Sequence, residues 1–143
     1  MPSMSLVYDA VNVGDALPPL TLPPLTRTTL ALYAGASGDH NPMHIDIDFA
    51  RAAGMPDVFA HGMLSMAWLG RLLTEWAPQR YRREWSVRFS AITHVGERIV
   101  CKGRVADKLE RGGEALIRIV MTTANEKGEV KLTGEAFIAV PRQ

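Results

Sequence analysis

One stretch constrains the fold more than any other. Between Gly62 and Trp76, the residues Met63, Leu64, Met66, Ala67, Trp68, Leu69, Leu72, Leu73 and Trp76 leave little polar face, the pattern of a helix covered on most sides. Arg71 interrupts the run, which is too short to cross a bilayer, where about 20 apolar residues are needed. The rest of the chain must therefore supply a surface to bury it. From Glu84 the period changes to two: Trp85, Val87, Phe89 and Ala91 alternate with Glu84, Ser86, Arg88 and Ser90, which predicts a strand with one wet face. Further strands are predicted over 98–105, 114–123 and 130–140, divided by turn signals at Gly96, Gly112-Gly113 and Gly128. Their short links predict an antiparallel meander. Both the inner face of that sheet and the helix are buried most economically if the curved sheet wraps around the helix. The predicted class is α+β, a single hot-dog-like domain over 1–143.

Composition excludes several function classes. The 143 residues suit one ordinary domain. With 47% hydrophobic and 22% charged residues, the chain reads as globular rather than disordered. Sixteen basic against fifteen acidic residues give a formal charge of +1, too even a balance to grip nucleic acid or an anionic membrane. A single cysteine, Cys101, rules out an intrachain disulfide framework and a Cys-based zinc site. It suits a reducing compartment, so the expected location is the cytoplasm. Residues 1–15 show neither a basic leader nor a continuous apolar region, so no signal peptide is expected there.

Upstream of the apolar helix the chain reads as loops and short helices. Pro18, Pro19, Pro23 and Pro24 confine Leu20 to Leu22 to a short edge strand at most. Thr26 is a candidate N-cap for a helix through Leu30, Tyr33 and Ala34, ended in the region of Gly35 and Gly38. Asp46 is a candidate N-cap for a helix over 47–53, with Gly54 beyond its end. Between them runs Gly38-Asp39-His40-Asn41-Pro42-Met43-His44. Pro42 keeps this segment out of a regular helix, so a turn must bring Asp39 and His44 together.

That pair carries the candidate chemistry. The chain has no Gly-x-Ser-x-Gly elbow for a serine nucleophile and no glycine-rich phosphate loop. His40 and His44 have zincin-like spacing, but Pro42 lies between them and no continuous helix can align their imidazoles, so no metal site is expected. An Asp and a His sharing one water form an acid/base pair suited to adding or eliminating water. Reaction on an α,β-unsaturated thioester also builds negative charge on the carbonyl oxygen, which a backbone N–H at a helix N-terminus stabilises. Gly62 stands where the apolar helix begins and, lacking a Cβ, admits a carbonyl close to the main chain. His61 reads as a structural cap or loop anchor, and His94 as part of a hairpin turn. Met63, Met66 and Trp68 read as core residues that also suit the lining of an acyl tunnel. Arg80, Arg82, Arg83 and Arg88 read as a solvated face, or as contacts for phosphates of the substrate carrier.

Tyr33-Ala-Gly-Ala-Ser-Gly-Asp-His-Asn-Pro-Met-His44-Ile-Asp46, followed by Ala60-His61-Gly62-Met63, resembles the signature of the MaoC-like hot-dog (R)-specific enoyl-thioester hydratases and dehydratases. It is especially similar to the catalytic subunit of heterodimeric (3R)-hydroxyacyl-carrier-protein dehydratases. Weaker likenesses lie at Val13-Gly14-Asp15, Arg88-Phe89 and Gly134-Glu135-Ala136. The resemblance implies that Asp39 and His44 hold the catalytic water, that the Gly62 amide binds the thioester carbonyl beside Met63, and that Asn41 braces the loop. It implies reversible hydration of trans-2-enoyl thioesters, with coenzyme A or phosphopantetheine only as part of the substrate and no cofactor. It also implies a homodimer, or a heterodimer with a related hot-dog subunit. This chain has Gly70 where some hydratases carry a serine along the central helix. Two other readings use the same chain: a hot-dog acyl-CoA thioesterase, and a non-catalytic subunit of a dehydratase complex.

Overall fold

The computed structural model describes residues 6–143; the leader reading at 1–5 lies outside them. Among the described residues, five antiparallel strands form one sheet: β1 (Leu20–Thr21), β2 (Arg82–Phe89), β3 (Val100–Arg111), β4 (Glu114–Ala124) and β5 (Val130–Ala139). Three α-helices accompany it among the described residues: α1 (Arg27–Ser37), α2 (Ile47–Ala52) and α3 (Gly62–Trp76). The apolar stretch is thus a helix, set against β3, β4 and β5. Ala77 ends it and Pro78 prevents its continuation. The architecture is the hot-dog fold, a curled sheet around a helix.

The predicted meander holds for β3, β4 and β5 but not for β2. The strand order is β1-β3-β4-β5-β2, and β2 pairs with β5, Trp85 standing opposite Ala136 and Phe89 opposite Leu132. The outer edge of β3 is already taken by β1, with Leu20 opposite Cys101, and by the bridge of Ala16 to Arg104. The link over 90–99 therefore crosses the end of the sheet instead of making a tight turn. His94 lies in that crossover and bridges Phe59, which corrects its hairpin reading. Strand β3 also runs beyond the predicted 98–105. A register shift between Val105 and Asp107 interrupts the alternation on which the shorter reading depended.

Leu69, Leu72 and Leu73 of α3 meet Ile99, Cys101, Val105, Ile117, Ile119, Leu132, Ala136 and Ile138 in the main core. Each of the leucines, isoleucines and the valine among them contributes about 1.5–3 kcal/mol on burial. A smaller cluster of Leu25, Leu30, Ala50, Val58, Ala60 and Leu64 joins α1 and α2 to the start of α3. This second cluster supports the loop that bears Asp39 and His44. The helix is less enclosed than its sequence predicts, since Met63 is 56% exposed and Ala67 is exposed as well. The sheet of one chain covers a single side of α3, so a strip of small and flexible residues stays open. Among the described residues, no helix is long and apolar enough to cross a membrane.

Candidate active site

Local hydrogen bonds shape the loop from its first residue to its last. Thr26 caps α1 by accepting from the Thr29 amide. The helix runs through Gly35, and Gly38 ends it in the left-handed region at φ 77°, where a side chain would be strained. The Asp39 amide then donates to Ser37 Oγ at 3.1 Å. Asp39 Oδ1 accepts from the Asn41 amide at 3.3 Å, and Asn41 Oδ1 from the Met43 amide at 3.1 Å. Pro42 begins a single 3₁₀ turn, Pro42–His44, where its missing N–H costs nothing. Asp46 accepts from the Asp48 and Phe49 amides and starts α2. One Asp39 oxygen thus braces the loop while Oδ2 stays outside these bonds.

His44 and His61 are oriented by backbone carbonyls. His44 Nδ1 lies 2.8 Å from the Phe59 carbonyl oxygen. A carbonyl only accepts, so Nδ1 carries the proton and neutral His44 presents a bare Nε2. His61 Nε2 donates to the Asp39 carbonyl at 3.2 Å. The two imidazoles stack, with centroids 4.1 Å apart and planes at 27°, and Tyr33 meets His61 edge-on at 4.7 Å. His61 is 1% exposed, and its Nδ1 is buried without a partner. Burial, reinforced by the neighbouring His44, pushes its pKa down and favours the neutral ring. Burial and the Asp39 charge likewise push the Tyr33 phenol up. His61 is therefore a loop anchor. Its side chain makes no cap bond to α3, which corrects that half of its reading.

One ligand-capable atom each from Asp39, His44 and His61 lies within 4.8 Å of the others. The expected pair of Asp39 and His44 is thereby brought together, and His61 joins it, whereas His40 is exposed and outside the group. A metal requires imidazole lone pairs that converge in their ring planes. Near-parallel stacked rings fit a hydrogen-bonded stack better than a metal cage.

Gly62 opens α3 beside this group. The first amides of a helix lack intrahelical acceptors, and His61 supplies no cap there. A Cβ on Gly62 would sit 3.0 Å from Phe89 Cε1. A cleft of about 350 Å³ adjoins, lined by His44, Gly62, Ser65, Phe89, Ile92 and Leu132 among others. Phe89 is 53% and Ile92 40% exposed, so the apolar rim is open. Asp39 and Met63 are exposed and are not among the cleft-lining residues. Further along α3, a Cβ on Gly70 would stand 2.6 Å from Trp85 Cη2. The indole therefore fills the notch that glycine leaves. The basic cluster is divided: Arg83 pairs with Glu114 at 2.7 Å, Arg80 and Arg82 lie over the rings of Tyr81 and Trp85, and Arg88 is exposed.

The sequence reading did not find Phe59, whose backbone carbonyl sets His44, or the crossover wall of Ile92 and Thr93. The chemistry of Phe59 is main-chain chemistry, which no side-chain motif announces. A family model described as "MaoC like domain" matches residues 15–127. The chain belongs to the MaoC-like dehydratase family. Within it, the chain is similar to an (R)-specific enoyl-CoA hydratase of Rhodospirillum rubrum, 28% identical over 119 residues, or 82% of this chain and 81% of that protein. It is also similar to the fatty acid synthase beta subunit of Saccharomyces cerevisiae, 32% identical over 151 residues; the match covers 96% of this chain but 7% of that protein. Among solved structures, the unliganded R-hydratase of Pseudomonas aeruginosa superposes with a TM-score of 0.84 at 26% identity, covering 97% of this MaoC-like chain and 88% of its own.

Proposed function

We propose that this MaoC-like chain reversibly adds water to trans-2-enoyl thioesters to give (3R)-hydroxyacyl thioesters. The observation that carries the reading is the juxtaposition of the Asp39 carboxylate with His44, whose Nε2 is left bare by the Phe59 carbonyl, next to the start of α3. In the hydration direction, a water held between Asp39 and His44 attacks C3 and loses one proton to this pair. The C2–C3 π electrons move toward the thioester, and charge gathers on its carbonyl oxygen. The Gly62 N–H stabilises that oxygen, aided by the positive end of α3. A proton then adds at C2, and the pair returns to its first state. Positioned acid/base groups contribute about 10²–10⁴ in rate, and one oxyanion donor about 10²–10³.

Water adds without net oxidation or reduction, so the reaction as written needs neither a metal nor a redox cofactor. Coenzyme A or phosphopantetheine enters as part of the substrate, and Asn41 braces the loop through its bond to Met43. The free edge of β2, with Phe89 at its end, supports pairing with a second hot-dog chain, because an unpaired edge beside exposed apolar residues invites cover. The even charge and the single buried Cys101 support a reducing, cytoplasmic setting.

Crotonyl-CoA tests the reaction. Loss of enoyl absorbance without thiol release, with (3R)-3-hydroxybutyryl-CoA as product, is the expected result. Thiol release would assign a thioesterase instead, and no turnover by the folded chain would leave a binding subunit.

A further inference from the structure

Lys131 is the least expected buried side chain of the molecule. Its neighbour Leu132 belongs to the core, so the period of β5 assigns Lys131 to the wet face. It is nevertheless 1% exposed. The crossover over 90–99 folds across it. The Lys131 carbonyl accepts from the amides of Ser90 at 2.8 Å and Ala91 at 3.1 Å. Its ammonium donates to the Ile92 carbonyl at 2.8 Å and pairs with Glu97 Oε1 at 3.1 Å and with Glu129. Glu97 in turn accepts from the His94 amide and from Asn125 Nδ2, each at 2.6 Å. Burial opposes the Lys131 charge, but Glu129 and Glu97 outweigh it and hold the ammonium above its ordinary value. Glu97 is held below its own value despite burial, by Asn125, His94 and Lys131. Both partners therefore persist as ions.

A buried ion pair is a poor way to stabilise a fold, since apolar residues of equal volume often do as well. Its direction is the useful property here. The segment that the pair grips is the wall of the cleft, and it leads on to the site. The Thr93 carbonyl accepts from the Ala60 amide at 2.9 Å, and His94 bridges Phe59. The Phe59 carbonyl is the acceptor that keeps the proton on His44 Nδ1. We propose that Lys131 and Glu97 are positioning residues for His44: through Ile92 and His94 they hold the 59–60 backbone, and with it the tautomer that leaves Nε2 bare. Only the kinetic arm of the test below rests on the hydratase reading.

The test uses the full-length protein, labelled with ¹⁵N, and long-range correlations of the His44 ring. In the wild type, neutral His44 is expected as the Nδ1–H tautomer; finding Nε2–H overturns the proposal before any variant is made. The informative variant is Lys131→Met with Glu97→Gln, which removes both charges and leaves neither buried alone. It should stay folded, show a mixture of His44 tautomers and exchange the Ala60 amide faster. It should also lose roughly ten- to a hundredfold in kcat with little change in KM, as small displacements of catalytic groups do. A folded double variant that keeps the wild-type tautomer and Ala60 protection overturns the proposal, whatever its melting temperature. If the tautomer shifts while the wild type itself hydrates no enoyl thioester, the positioning stands and the assigned reaction fails.

Discussion

The loop that carries Asp39 and the wall that faces His44 are held by opposite means. In the loop most polar ties are short-range: Asp39 to Ser37, Asn41 to Asp39, Met43 to Asn41, Phe49 to Asp46, with the bond from His61 to the Asp39 carbonyl as a distant addition. In the wall, apart from the His94 amide on Glu97, the ties join residues far apart in the chain: Lys131 to Ile92, Asn125 to Glu97, His44 to Phe59. Local ties need particular residues at particular spacings, so they leave a motif. Distant ties need only a backbone carbonyl or a charge at the right place in space, and they leave none. The loop thus presents the reactive groups, while the wall decides how they are aimed.

The strongest way to break this comparison is at the reactive groups themselves. Asp39→Asn or His44→Ala should each lower turnover by about 10² or more, since each removes a positioned acid/base group. Circular dichroism should stay unchanged, because Asp39 is exposed and His44 only half-buried. Near-normal crotonyl-CoA turnover in the folded variants would remove the site from this loop.

Gly70→Ser probes a position that packing alone decides. Its Cβ would stand 2.6 Å from Trp85 Cη2, and overpacking of this kind costs about 1–3 kcal/mol. Denaturant unfolding should show the loss, and pairing the change with Trp85→Phe should recover part of it. An unchanged midpoint would mean that the indole does not depend on the notch.

His61 sharpens the comparison through pH. Its folded-state pKa is lowered, first by burial and then by His44. The unfolded chain therefore takes up a proton near the ordinary histidine value of about 6.5 while the folded chain does not. Its contribution to stability is complete above that value and declines as the pH falls below it, by at most about 1.4 kcal/mol per pH unit for one proton. His61→Gln should flatten that part of the stability curve. If the slope below pH 6.5 survives the substitution, His61 is not the buried base responsible.

The smallest expected effect concerns loop bracing. Asn41→Ala removes the acceptor for the Met43 amide, a capping bond worth about 1 kcal/mol. Thermal unfolding should register a loss of that size, and kcat should fall less than for Asp39→Asn. A larger kinetic effect would make Asn41 more than a brace.

Much of this was legible before any coordinates. The bounds of α3, the caps at Thr26 and Asp46, the strand content and the meeting of Asp39 with His44 follow from periodicity, capping chemistry and a proline. The place of β2 did not follow, because alternation marks a strand without naming its neighbour. Nor did the openness of Met63, since an apolar helix reads the same whether one sheet or two bodies cover it. His61 could have been suspected from its position immediately before Gly62, but its stacking on His44 brings together residues from either side of α2.

By itself the amino-acid order determined the elements and the reactive loop, because helix caps, turns and strand alternation are governed by neighbours a few residues apart. Only the tertiary structure decided that β2 lies beside β5, that a lysine of β5 is enclosed by the crossover, and that a phenylalanine carbonyl orients His44. These outcomes depend on which surfaces remain to be covered once the sheet has curled around α3. Such competition among distant segments is settled by packing and by the satisfaction of buried polar groups, neither of which has a spacing along the chain.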